Sequence, residues 1–175
     1  MPGLAAAVLL AIVAHFPMKV VYDETYLNLG SFLVQTGRPA DAVPVLLKTV
    51  AVDPSYAAPH FNLGLAYRDS GEQQAALEEL TTAVRLRPDY AEAHSALGVM
   101  FRGLGRTAEA LQHLREAARL APASVEAHSN LGLALSEAIR LQPRNYGVRI
   151  NFGNALCEAG RAAEGVDQYQ DEDGV

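Results

Sequence analysis

Tryptophan is absent from these 175 residues, and cysteine occurs once, as Cys157. One thiol makes neither an intrachain disulfide nor a cysteine metal cluster, so the redox compartment is left open. Concentrated positive charge is missing as well. Fourteen basic against twenty acidic side chains give a formal charge of −6, and the arginines are spread along the chain. Phosphate recognition needs a dense basic patch, which argues against nucleic acid and for a basic or neutral partner. No apolar run is long enough to span a bilayer. Leu4 to Phe16, broken only by His15, has thirteen residues, short of the ~20 a spanning helix needs. Nor does a basic residue precede that run, the first being Lys19, which argues against a secretory signal. The expectation is a cytoplasmic protein with no membrane partner. Cleavage after Ala14, or anchoring through residues 1–14, would make it periplasmic or membrane-associated instead. What the chain has in quantity is core material: hydrophobic residues are 50% and charged residues 19%, a balance that folds.

The sequence matches itself at a shift of 34 residues. Segment 57–90 reads AAPHFNLGLAYRDSGEQQAALEELTTAVRLRPDY, and segment 91–124 reads AEAHSALGVMFRGLGRTAEALQHLREAARLAPAS. Matching positions hold His60 and His94, Leu63 and Leu97, Gly64 and Gly98, Tyr67 and Phe101, and Gly71 and Gly105. Ala76 and Ala110, Leu80 and Leu114, Ala83 and Ala117, and Pro88 and Pro122 continue the match. Segment 23–56 joins the register with Tyr26, Leu29, Gly30, Leu33, Gly37, Ala42, Leu46 and Pro54. A period of this size marks stacked helical units, none of which buries its apolar face alone.

At these residues the chain resembles the tetratricopeptide-repeat family, over roughly residues 23–170. The resemblance implies an all-α fold, a right-handed superhelix of 34-residue helix-turn-helix repeats. The expected order is an apolar N-terminal helix in 1–22, then repeats at 23–56, 57–90 and 91–124. A shortened fourth repeat at 125–145, a partial fifth at 146–170 and an acidic tail at 171–175 follow. First helices are expected at about 24–36, 57–70 and 91–104, and second helices at about 39–52, 73–86 and 107–120. Small residues such as Gly64 and Ala76 let the two helices of a repeat approach, and Leu63, Tyr67 and Leu80 fill the space between repeats. Gly71 and Gly105 fall where the chain needs a positive φ. Pro88 and Pro122 end second helices. Pro39 and Pro59 suit first-turn positions, whereas Pro44 should bend its helix or delay its start.

Segment 125–145 opens in register with His128, Leu131, Gly132 and Leu135, then passes straight to the end of a second helix, closing with Pro143. It has 21 residues instead of 34, so 13 are missing. With no Gly or Pro between Leu133 and Gln142, one fused helix is expected over about 125–141. Losing a helix reverses chain polarity, so 146–159 should run antiparallel to it, in the slot of a second helix. Its residues Ile150, Phe152, Gly153, Leu156 and Gly160 are nevertheless patterned as a first helix, a local–global conflict that should loosen this end. By the same register Pro17 ends a half repeat over 4–16 that packs on repeat one. Ala162, Gly165 and Val166 start a last helix, and Asp171–Glu172–Asp173 should be disordered.

His60, His94 and His128 recur at one position and invite a metal, but stacked first helices stand ~10 Å apart while zinc ligands converge to ~2 Å. Packing is the expected role, and no metal or cofactor is expected. Gly103-x-Gly105-x-x-Ala108 imitates a dinucleotide fingerprint without the strand it requires. Cys157 has no histidine placed beside it and is expected to be buried or half-buried.

What remains is a groove. In such a superhelix the first helices line the concave side, and the sixth position of each repeat points inward. Asn28, Asn62, Ala96, Asn130 and Asn151 stand there. These Asn-Leu-Gly repeats resemble the helical arm of O-linked N-acetylglucosamine transferases, in which an asparagine ladder grips an extended peptide backbone. A carboxamide both donates and accepts, so it pairs with any peptide unit; the competing reading is a merely solvated amide. Leu27, Phe61, Leu65, Val99 and Leu133 should make the groove partly apolar, with Arg68 and Arg102 at one edge. Chaperone-binding relatives clamp a carboxylate with basic residues where this chain has Leu27, Ser95, Ala96 and Val99, so that role is not expected. The leading expectation is a non-enzymatic scaffold that binds an extended peptide of a protein partner. The alternatives are the substrate-recruiting arm of a larger glycosyltransferase-like enzyme, or an envelope assembly factor if residues 1–14 are a signal. Uncapped repeat ends could also promote self-association.

Overall fold

The computed structural model describes residues 18–142, 144 and 146–158. The half repeat expected over 4–16, Pro17, Pro143, the segment from Gly160 onward and the acidic tail lie outside the described residues. Among those described, every regular element is a helix: α1 (Met18–Gln35), α2 (Pro39–Val52), α3 (Ala57–Asp69), α4 (Gln73–Leu86), α5 (Ala91–Gly103), α6 (Thr107–Leu120), α7 (Val125–Leu141) and α8 (Tyr146–Glu158). No helix among them is long and apolar enough to cross a membrane.

Three turns are built alike. Gly37, Gly71 and Gly105 have φ of 72°, 85° and 71°, the left-handed conformation a residue without Cβ adopts at least cost. In the second turn the Gly71 amide donates to the Arg68 carbonyl and the Glu72 amide to the Tyr67 carbonyl; in the third, Gly105 and Arg106 repeat this with Arg102 and Phe101. These paired bonds satisfy the last carbonyls of each first helix. No such glycine interrupts 125–141, and the chain there stays helical throughout as α7. Ser124 caps α7, its hydroxyl accepting from the Ala127 amide at 3.2 Å. Pro44 does not delay α2, which starts at Pro39 and carries Pro44 on its exposed side. The first helix is already formed at Met18, ahead of the expected start at about 24, since nothing between those positions breaks a helix.

The chain divides into two compact units, 1–87 and 88–175. In the first, α1 packs on α2 and α3, α2 on α3, and α3 on α4. Leu46, Leu63, Ala76, Leu80 and Ala83 are fully buried there. In the second, α5 packs on α6, α6 on α7 and α7 on α8, around Ala110, Leu114, Ala117 and Leu135. Burying each such leucine contributes about 2 kcal/mol. Leu29 departs from its counterparts: it is 44% exposed, whereas Leu63 and Leu97 are buried. Leu63 joins the cluster of Leu33, Ala42 and Leu46 on the preceding helix pair, and no second helix precedes Leu29 among the described residues.

The helices of a repeat touch through a glycine and a leucine. A Cβ on Gly64 would stand 2.6 Å from Leu80 Cγ, and one on Gly30 or Gly98 would overlap Leu46 or Leu114 as closely. At Gly132 the same atom would meet nothing within 4 Å among the described residues. Gly98→Ala should therefore destabilise by about 1–3 kcal/mol through overpacking. Gly132→Ala should stabilise by up to about 1 kcal/mol through helix propensity. Urea unfolding of both variants checks this: the midpoint should fall for the first and hold or rise for the second.

Candidate functional site

In the first unit, Asn28 is exposed on α1 while Leu27 lies half-buried against the cluster that contains Leu33 and Leu46. Asn62 on α3 is half-buried and held from two sides. The Ser31 hydroxyl of α1 donates to its Oδ1 at 3.0 Å, and its Nδ2 donates to the Ala58 carbonyl at 3.0 Å. A carboxamide has two donor hydrogens and two acceptor lone pairs, so one of each remains for another molecule. Phe61 and Leu65 are half-buried on the same helix. Arg68 is exposed and donates from Nε to Asp69 at 2.8 Å.

In the second unit, Asn130 on α7 donates from Nδ2 to the Ser95 hydroxyl of α5 at 3.2 Å. Val99 is half-buried against the core. Arg102 is also half-buried, with Nε removed from water and no hydrogen bond to it among the described residues. Asn151 stands apart from the other amides. It sits on α8, whose Phe152, Ala155 and Leu156 face the N-terminal half of α7, so this helix runs back along α7. The sequence reading did not single out Ser31 and named Ser95 only as an inward position without a cation, because the two occupy different repeat positions and only the packing of first helices brings each to an asparagine.

The recurring histidines hold the chain entry of each repeat. Nε2 of His60, His94 and His128 lies 3.1 Å from the carbonyls of Pro54, Pro88 and Pro122 respectively. An N–H donated there closes the loop that follows each helix-ending proline. The spacing Pro-x-x-x-x-x-His, repeated three times, was the available signal. The other nitrogen differs by repeat. His60 Nδ1 lies 2.6 Å from Glu79 Oε2, an ion pair when the ring is protonated. His94 Nδ1 lies 3.0 Å from His113 Nδ1, so one neutral ring donates and the other accepts. His113 also stacks on Phe101 at 5.5 Å between centroids. Burial, then the neighbouring His94, pushes the His113 imidazole below its ordinary range, with Glu109 opposing in part.

Among the described residues no group of three or more His, Cys, Asp or Glu side chains converges as a metal site would. Gly105 of the dinucleotide-like stretch serves its turn, with α5 and not a strand before it. Cys157, expected to be buried or half-buried, is exposed, because it falls on the outer side of α8. The site that sequence reasoning missed is a hollow of about 540 Å³ between α7 and α8, with Gly132, Leu133 and Phe152 in its lining. α8 packs on α7 with first-helix residues, and neither Ala155 nor Leu156 comes within 4 Å of a Cβ built at Gly132.

The family model of the tetratricopeptide repeat matches residues 27–80 and 61–125, together more than half of the chain. Among solved structures, MamA is similar at 28% identity, covering 84% of this chain and 80% of that one, with a TM-score of 0.65. A pilF protein of Pseudomonas aeruginosa is similar at 24% identity, covering 86% of this chain and 76% of that one, with a TM-score of 0.62. The second repeat domain of human RPAP3, solved with the HSP70 peptide SGPTIEEVD, is 22% identical. It covers 66% of this chain and 97% of that one, with a TM-score of 0.61. These last two likenesses are of fold alone. No curated protein matches the chain.

The His94–His113 pair makes stability depend on pH. Below about 6.5, the unfolded chain binds a proton that folded His113 declines, so stability falls as pH falls toward the depressed folded value. Above that range both states are neutral and the effect vanishes. His113→Gln should lose less melting temperature between pH 7.5 and pH 5.5 than the parent chain does, as read by circular dichroism.

Proposed function

The chain belongs to the tetratricopeptide-repeat family, and from that premise we propose that it is a protein-interaction scaffold holding an extended peptide on its first-helix faces. The observation that carries this reading is the bracing of the asparagines. Ser31 and Ser95 fix the carboxamides of Asn62 and Asn130 from the preceding first helix, while each amide keeps donor and acceptor capacity for a peptide unit. An amide held in one rotamer loses less entropy on binding than a free one. Half-buried Leu27, Leu65 and Val99 and exposed Leu133 beside them offer apolar contact, and Asn28 extends the amides of the first unit. Arg68 in the first unit and Arg102 in the second would each meet an acidic group. The RPAP3 domain, solved with a bound peptide, is a precedent for peptide capture by this fold. Leu27, Ser95, Ala96 and Val99 stand where a carboxylate clamp would need cations, so the favoured ligand is an internal segment instead of a chain terminus.

The full chain as bait in a pull-down, beside a triple variant with Asn28→Ala, Asn62→Ala and Asn130→Ala, tests this. A partner peptide should bind the native chain and bind the variant at least about tenfold more weakly, at ~1 kcal/mol per lost hydrogen bond. Helicity should be unchanged and the melting temperature slightly lower, since three internal hydrogen bonds go as well. Equal capture by both baits would retire the asparagine face.

A further inference from the structure

We infer that the hollow at Gly132 is a docking site for an amphipathic helix of a partner protein, whose leucine enters the notch that the shortened repeat leaves open. The template is internal to the chain. Gly30, Gly64 and Gly98 are each covered by a leucine, Leu46, Leu80 and Leu114, from a second helix. All three leucines are fully buried, and each follows a fully buried alanine by four residues, in Ala42-x-x-x-Leu46, Ala76-x-x-x-Leu80 and Ala110-x-x-x-Leu114. Gly132 occupies the same place in the repeat, and its covering helix is the piece the fourth repeat lacks. Among the described residues nothing within 4 Å replaces the missing leucine.

What surrounds the notch fits such a guest. The hollow measures about 540 Å³ and is walled on the far side by Phe152 and Leu156. That volume receives side chains from one face of a helix ~10 Å across while the backbone stays outside. Val125 and Leu133 flank it on α7 at 80% and 52% exposure, an apolar rim of the kind that marks an interaction surface. A second hollow of about 570 Å³ shares Pro122 and His128 with the first and is lined by Arg115 and Arg119. Arg119 already pairs with Glu116, so Arg115 is the cation offered to a carboxylate one or two turns along the guest. The favoured partner helix therefore carries a small residue, a leucine four positions later and acidic flanks. This assignment does not rest on the asparagine face.

The chain supplies its own probe, a capped synthetic peptide of residues 107–120, TAEALQHLREAARL, which natively places Leu114 against Gly98. Labelled peptide is titrated into the full-length chain and followed by fluorescence anisotropy, with amide chemical shifts locating the contact. Saturable binding is expected, with shifts centred on Gly132, Leu133 and Phe152. It should weaken at least tenfold with Leu114→Ala in the peptide, and equally with Gly132→Leu in the chain, which fills the notch. Val125→Asp on the exposed rim gives the same readout without touching the core or the asparagine face. Absence of saturable binding, or binding indifferent to these variants, overturns the proposal. So does a dimer of the chain alone, seen by sedimentation and dissolved by Gly132→Leu, because the occupant would then be a second copy.

Discussion

The contact on which this fold depends is the seating of one leucine on one glycine between the two helices of a repeat. Because Gly30, Gly64 and Gly98 have no Cβ, Leu46, Leu80 and Leu114 reach the helix backbone and are buried completely. That approach sets the spacing of the pair, and the pair in turn fixes where its turn must lie. The turn glycines Gly37, Gly71 and Gly105 follow from it, since a tightly packed antiparallel pair needs a short reversal that a left-handed residue supplies. Leu63, with a cluster of the preceding pair, then ties one repeat to the last.

Around this lock the polar groups add specificity. Buried histidines close the loop after each proline, and serines on one first helix brace an asparagine on the next. A buried polar group is costly unless paired, so these bonds hold one register of stacking against its neighbours. The second nitrogen meets Glu79 in one repeat and His113 in the next, so the position accepts two chemistries. Where the shortened repeat removes the lock, the exposed apolar side chains Val125 and Leu133 and the open notch at Gly132 appear together.

Much of this was legible in the sequence, and for identifiable reasons. Leu-Gly, Ala-x-x-x-Leu and the turn glycines recur at fixed spacing, so helix positions, the positive φ of Gly71 and Gly105 and the fused helix could all be read from local pattern. Of the two effects expected of Pro44, the delayed start does not occur, since α2 begins at Pro39 and carries Pro44 on its exposed side. Leu29 was placed with its buried counterparts because periodicity says which face a residue occupies and not whether a neighbour covers it. The partners of His94 and Asn62 needed the register between helices, which no single segment encodes. The hollow was hardest to foresee. It lies where Gly132 lacks the leucine that covers Gly30, Gly64 and Gly98, and absence of a side chain leaves no motif.

Native-state hydrogen exchange on the intact chain reaches the central claim most directly, because it compares the locked and unlocked glycines within one molecule. The amides around Gly98 on α5 and around Gly132 on α7 belong to equivalent positions of neighbouring repeats in the same unit. If the leucine seat is what holds a helix pair together, the amides around Gly98 should exchange only through the largest opening of that unit, and those around Gly132 through smaller local openings at least tenfold more often. Equal protection at the two glycines would contradict the account and assign the stability of these helices to contacts elsewhere.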